Sequence, residues 1–184
     1  TTPPVITDAG SVTVEVKAEN PNYETATGTY TLTVDKREVK LTSATDEKVY
    51  DGTELTNDTV TAEGFVNGEG ADITVTGTQT YVGQSDNTFT YSLKEGTRTE
   101  NYTITTVVGT LTVKDEGVDH GKVIAKTHDA GTYDLGDEVV FTLTVTNIYD
   151  TPRNITLREM EGMRFTTANV FGGVAPGATV QATA

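Results

Sequence analysis

Apolar and polar residues alternate in short runs along this chain, the two-residue period of half-buried strands. Val12, Val14 and Val16 lie on one side of an early run, and Tyr30, Leu32 and Val34 on one side of the next, spaced by Thr or charged residues. Further strands are predicted at Val39 and Leu41, then at 47–53, 59–61, 73–75, 88–93, 102–106 and 110–113. Asp51-Gly52 interrupts the second of these as a turn, because Gly accepts positive φ and Asp bonds to the nearby backbone. Segments 67–70, 82–87 and 95–96 are rich in turn residues and read as loops, and Pro3-Pro4 as an extended entry. The clearest alternation spans 139–147, with Val139, Phe141, Leu143 and Val145 on the buried side. Lys122 to Lys126 precedes it as a strand, and Pro176-Gly177 turns the chain into a last one that only begins before the end. Only 157–163 lacks alternation enough to turn helical, and it is barely two turns long.

The chain also nearly repeats itself. Asn22-Tyr23, closing with Leu32-Thr33-Val34, returns as Asn101-Tyr102 closing with Leu111-Thr112-Val113, an offset of about 79 residues without a gap. Upstream, the run at 11–17 has its counterpart at 87–94. Four segments follow: 1–36 as the C-terminal part of a preceding repeat, 37–114 as a complete β module, 115–121 as an acidic, glycine-tipped linker, and 122–184 as an Ig-type β module that is cut short. The expected fold class is all-β, as tandem small β-sandwich-like modules. Half a module cannot bury both faces of its core, so 1–36 is expected to dock, to pair through open edges or to be poorly ordered.

Thr makes up about a fifth of the residues and favours pleated strands, while the hydrophobic fraction of 35% allows only thin cores. With 27 Asp and Glu against 13 Lys and Arg, the formal charge of −14 argues against nucleic acid and against an anionic membrane surface. No stretch reaches the ~20 apolar residues of a membrane span, so no membrane insertion is expected here, and any leader or anchor is expected outside this stretch. The absence of cysteine removes disulfides and thiolate metal sites.

The ordered motifs Lys48-Val49-Tyr50-Asp51-Gly52-Thr53, Gly68-Glu69-Gly70-Ala71, Gly77-Thr78-Gln79-Thr80, Val82-Gly83, Asn87-Thr88-Phe89-Thr90-Tyr91, Glu100-Asn101-Tyr102 and Gly109-Thr110-Leu111-Thr112-Val113 resemble the YDG/MBG-type repeats of large bacterial surface proteins. The run from Gly131 to Asn147, with Val174-Ala175-Pro176-Gly177, resembles the Ig-like DUF11-type repeats of similar proteins, less their terminal strand. The resemblance implies a fragment of a long, extracellular protein on a bacterial cell surface or in the cell wall, acting as stalk or adhesin. The expected function is a non-enzymatic spacer that presents an adhesive region, with neighbouring modules of the same chain as partners. Two alternatives stand beside it: an adhesin module that binds mucin or host glycans directly, and an accessory module of a secreted carbohydrate-active enzyme.

Candidate chemistry is sparse. His120 and His128 are the only histidines, and no nucleophile elbow, P-loop or H-E-x-x-H motif occurs, so no catalytic residue and no metal site is expected. Acidic groups gather at Asp46, Glu47 and Asp51, at Asp115, Glu116 and Asp119, and at Asp134, Asp137 and Glu138. Calcium takes six to eight such oxygens, yet none follows a calcium-loop spacing, and solvated turns are the plainer reading, with Ca2+ the one cofactor worth testing. Tyr50 and Tyr81 are the candidates for stacking on a sugar ring, with Tyr91, Tyr102 and Tyr133 behind them. Lys122 or Lys126 is a candidate for an isopeptide cross-link to an Asn beside a buried carboxylate, and Lys40 with Asn101 and Glu47 is a second combination.

Overall fold

The computed structural model describes residues 5–66, 68–129 and 131–184. The chain is all-β: among these residues the only helical turns are the 3-10 turns Thr99–Asn101 and His120–Lys122. In order, the strands are β1 (Gly10–Asn20), β2 (Tyr23–Val34), β3 (Arg37–Ser43), β4 (Asp46–Val49), β5 (Val60–Glu63), β6 (Ala71–Val75), β7 (Gly83–Asn87), β8 (Phe89–Leu93), β9 (Tyr102–Val107) and β10 (Gly109–Lys114). They continue as β11 (Ile124–His128), β12 (Phe141–Thr146), β13 (Arg153–Thr156), β14 (Val170–Val174) and β15 (Thr179–Thr183). The reading of Pro3-Pro4, and of Asn67 in its loop, lies outside the described residues.

The chain divides into two compact units that do not follow the sequence boundaries. One takes the chain up to Ala44 with Asp58–Thr76 and Thr88–Val108; the other takes Thr45–Asn57, Gly77–Asn87 and Gly109–Ala184. Strands of segment 37–114 therefore fall in both, and β4, β7 and β10 share a unit with the third segment.

In the first unit the sheet β5-β3-β9 has β3 at its centre, antiparallel to β5 and parallel to β9. Alternation along β3 points Val39 and Leu41 inward, both fully buried, onto Tyr102, with Phe65, Ile73 and Phe89 packed against them. Ile73 and Phe89 come from the separate β6–β8 pair, so this core has the two layers of a small sandwich. The same unit holds the β1–β2 hairpin. Its register sets Val12 against Leu32, Val14 against Tyr30 and Val16 against Gly28 on one face, with Ser11, Thr13, Glu15 and Lys17 against Thr residues on the other. The apolar face is open: Val12 is 41% and Tyr30 66% exposed. The hairpin's two strands pair with each other, and the residues leading into them dock, Ala9 and Asp8 bonding to Asn101 and Arg98.

In the second unit β10 runs between β4, which is parallel to it, and β7, which is antiparallel. Leu111 and Val113 point from β10 onto Leu55, flanked by Tyr50 and Val82. The third segment sets the sheet β11-β12-β15 beside the β13–β14 pair, around Leu143, Leu157 and Ala182. Phe141, Leu143 and Val145 join that core as their alternation predicts, whereas Val139, expected beside them, precedes the strand and is not part of the core.

Two expectations need correction. Segment 82–87 is not a loop: five residues without a large apolar side chain form β7 because β10 offers them an edge, and they pair from Asn87 opposite Gly109 to Gly83 opposite Val113. Segment 157–163 forms no helix, as expected of a stretch barely two turns long. Leu157 is buried, its N–H donates to Asn169 O, and Met163 N–H closes a turn onto Met160 O; two turns of helix cannot repay nucleation. The last strand does not merely begin, because β15 pairs with β12 from Thr179 opposite Thr146 to Thr183 opposite Thr142.

Leu41→Ala is expected to cost about 2–5 kcal/mol in urea denaturation, since it opens a cavity in a closed core. Leu32→Ala, on the open hairpin face, is expected to cost under about 1 kcal/mol. An equal loss at both positions would mean that the hairpin face is covered in solution.

Candidate functional site

A seam of specific contacts lies within the second unit, where the segment before β7 meets the third segment. Val82 bridges to Tyr149 in parallel. Its N–H donates to Ile148 O at 2.7 Å, and its carbonyl accepts from Asp150 N–H at 3.0 Å. Two glycines permit this approach. At Gly83 an added Cβ would enter the Asp150 carboxylate, and at Gly177, with φ +72°, it would enter the Tyr81 hydroxyl.

Asn147 shapes the turn that supplies the third segment's side of the seam. It is 2% exposed, its amide donates to Thr151 O and Val174 O at 3.0 and 2.8 Å, and its Oδ1 accepts from Tyr149 N–H at 3.0 Å. A buried amide satisfied on both sides fixes its loop, because leaving any of these groups unpaired costs about 1–3 kcal/mol. Tyr149 is fixed in turn: its hydroxyl donates to Asp115 at 2.8 Å and the Arg153 guanidinium lies 4.2 Å from its ring centroid. The hydrogen bond to Asp115 pushes the Tyr149 pKa up, with burial adding to it. Beside them is a cleft of about 410 Å³, lined by Asp115, Val118, His120, Ile148, Tyr149 and Arg153 among others. Segment 115–121 is thus not a bare spacer, since Val118 is buried and Asp119 caps the following 3-10 turn by accepting from Gly121 N–H.

The residues singled out from the sequence are scattered. Tyr50 is half-buried against Leu55, Leu111 and Val113, and burial raises its pKa. Tyr81, also half-buried, directs its hydroxyl at Gly177. Both rings are therefore committed to packing within their unit. Asp51 accepts from Lys48 Nζ at 2.8 Å and from Thr53, and these bonds hold its carboxyl well below the usual carboxylate range. Asp46 accepts from Asn57, Glu47 pairs with Lys114, and Asp137 accepts from Asp134 N–H. Among the described residues no three His, Asp or Glu side chains converge as a metal ion would require.

Lys126 has the most specific setting of the lysines. Its Nζ is 2.7 Å from Glu159 Oε1, whose side chain is 6% exposed, and 4.6 Å from the Phe141 ring centroid. A lysine beside a buried carboxylate is two parts of an amide-forming triad. The third, an Asn side chain, is not among its hydrogen-bond or ion-pair partners in the described residues, which are Glu159 and Met163. Lys122 ends the 3-10 turn His120–Lys122. Asn101 is occupied differently: it accepts from Ala9 N–H and donates to Asp8, which also pairs with Arg98 at 2.6 Å.

Gly83 and Asn147 enter from the sequence only as members of motifs, and Tyr149, Asp150 and Glu159 do not enter at all. One signal was available for the turn, an Asn at a strand end followed by Asp150-Thr151-Pro152; the pairing of Val82 with Tyr149 leaves no local pattern. No protein-family model matches the chain, and no curated protein and no solved structure matches it either.

The intact mass of the purified chain is expected to equal that of its sequence. A loss of about 17 Da, one ammonia, would reveal a Lys–Asn amide and overturn this reading of Lys126.

Proposed function

We propose that this chain is a non-enzymatic, load-bearing spacer from the exterior of a bacterial cell, a piece of a repeat protein of the YDG/MBG and DUF11-like kind. The observation that carries the proposal is the seam. A spacer must pass tension between modules without a hinge, and backbone hydrogen bonds between segments, backed by glycines that admit no side chain, do this better than a solvated linker. Val82, Tyr149 and Asp150 supply the bonds, and Gly83 and Gly177 the close approach. Tyr149 binds Asp115 of the intervening segment, so the short connection is held down as well. The net charge of −14 keeps neighbouring copies apart at low salt, an effect that fades beyond a Debye length of about 8 Å under physiological conditions.

Pulled between its ends in an optical trap, the chain is expected to release segment 122–184 together with β7 and β10 in one event. Gly177→Ala strains the backbone and drives a methyl group into Tyr81, and is expected to cost about 1–3 kcal/mol and to lower the force of that event. Separate release of 122–184 from the unaltered chain, at a force that Gly177→Ala leaves unchanged, would mean a hinged linker and would refute the spacer reading.

A further inference from the structure

The same repeat sequence appears twice in this chain with two different sets of partners. Tyr23–Val34 corresponds residue by residue to 102–113, with Tyr23, Thr27, Thr31, Leu32, Thr33 and Val34 identical to Tyr102, Thr106, Thr110, Leu111, Thr112 and Val113. In the second occurrence these residues form β9 and β10, each lying parallel to a strand from the start of the repeat. Arg37 to Thr42 of β3 runs beside Tyr102 to Val107, and β4 from Asp46 to Val49 runs beside Leu111 to Lys114. In the first occurrence β2 pairs only with β1, and its other edge has no strand partner among the described residues.

Burial follows the partners. Tyr102 is 4% and Leu111 0% exposed, while Tyr23 is 79% and Leu32 38% exposed at the matching positions. Val12, Val16, Tyr30 and Leu32, which share one face of the hairpin, are all exposed, and contiguous open apolar surface of this kind marks an interaction surface. A two-stranded sheet with such a face is marginal in water.

We infer that β2 is an acceptor strand, and that its occupant is the opening strand pair of another repeat of this kind, with the sequence pattern of Arg37 to Val49. The register is taken over from the pairing already present in this chain. Subtracting the repeat offset sets Arg37 opposite Tyr23, Leu41 opposite Thr27, Asp46 opposite Leu32 and Lys48 opposite Val34, with the strands parallel. Main-chain bonds on the free edge supply affinity, as in strand addition generally, and side chains at alternate positions supply selectivity. One mismatch is built in. Glu38 falls opposite Glu24, where the second occurrence has Thr103, and like charges directly opposite weaken a strand pair. The inference rests on the repeat and its pairing, not on the spacer reading, so either can fail without the other.

The test uses the full chain and a dye-labelled synthetic peptide with the sequence of Arg37 to Val49, followed by fluorescence anisotropy and by amide hydrogen exchange. Saturable binding is expected, with new protection at 23–34. Leu32→Glu is expected to weaken it at least ten-fold, and Glu24→Thr to tighten it about two- to five-fold. A scrambled peptide that binds equally well would overturn the inference, because any strand would then do. Protection confined to 102–113, which is exchange with the chain's own β3 and β4, would overturn it too. So would self-association of the chain through this face without peptide binding.

Discussion

The division of β9 and β10 between two cores is the constraint on which the central fold depends. Tyr102 and Ile104 must face the core around Val39 and Leu41, while Leu111 and Val113 must face the core around Leu55. The two cores belong to different compact units, so the stretch 102–113 has to serve both. The chain resolves this by ending β9 at Val107 and starting β10 at Gly109, and the boundary between the compact units falls at the same place. In the hairpin β2 is continuous from Tyr23 to Val34, with a register shift between Ala18 and Asn20. The six residues identical between the two occurrences thus stand in two strands in one and in a single strand in the other.

The chain's crossings between units have the same origin. After β3 the chain moves to the second unit, where β4 lies beside β10, and it returns near Asp58 to supply β5 at the edge of β3. It leaves again at Gly77 to place β7 on the other edge of β10, and comes back at Thr88 for β8. Once β9 and β10 are assigned to different units, their parallel and antiparallel partners must be divided in the same way. The third segment adds to the second unit because the stretch just before β7 has an edge at Val82, and the Asn147 turn presents Tyr149 and Asp150 to it.

Much of the fold was legible in the sequence. Two-residue alternation marked most strands, and the faces read for 12–16, 30–34 and 141–145 are the faces observed, because local periodicity is all they require. It did not mark β13 or β14, nor β7, whose Gly-Gln-Ser-Asp-Asn sequence has no apolar face and pairs where β10 lies beside it. Candidate residues chosen by type fared differently from those chosen by position. Tyr50 and Tyr81 are candidates by residue type alone; both are half-buried, Tyr50 against Leu55, Leu111 and Val113 and Tyr81 beside Gly177. The seam was illegible since it joins Val82 to Tyr149 across 67 positions with no shared motif.

The claim that β7, β10 and the third segment form one mechanical unit is tested most directly by native-state amide hydrogen exchange, which reports the opening free energy of each hydrogen bond. The account predicts that the amides of Val82 and Asp150, of β10, and of β12 and β15 share one opening free energy and lose it together when Gly177 is replaced by Ala. If Val82 and Asp150 exchange freely while β12 and β15 stay protected, the seam bears no load, the segments are hinged, and the account is wrong.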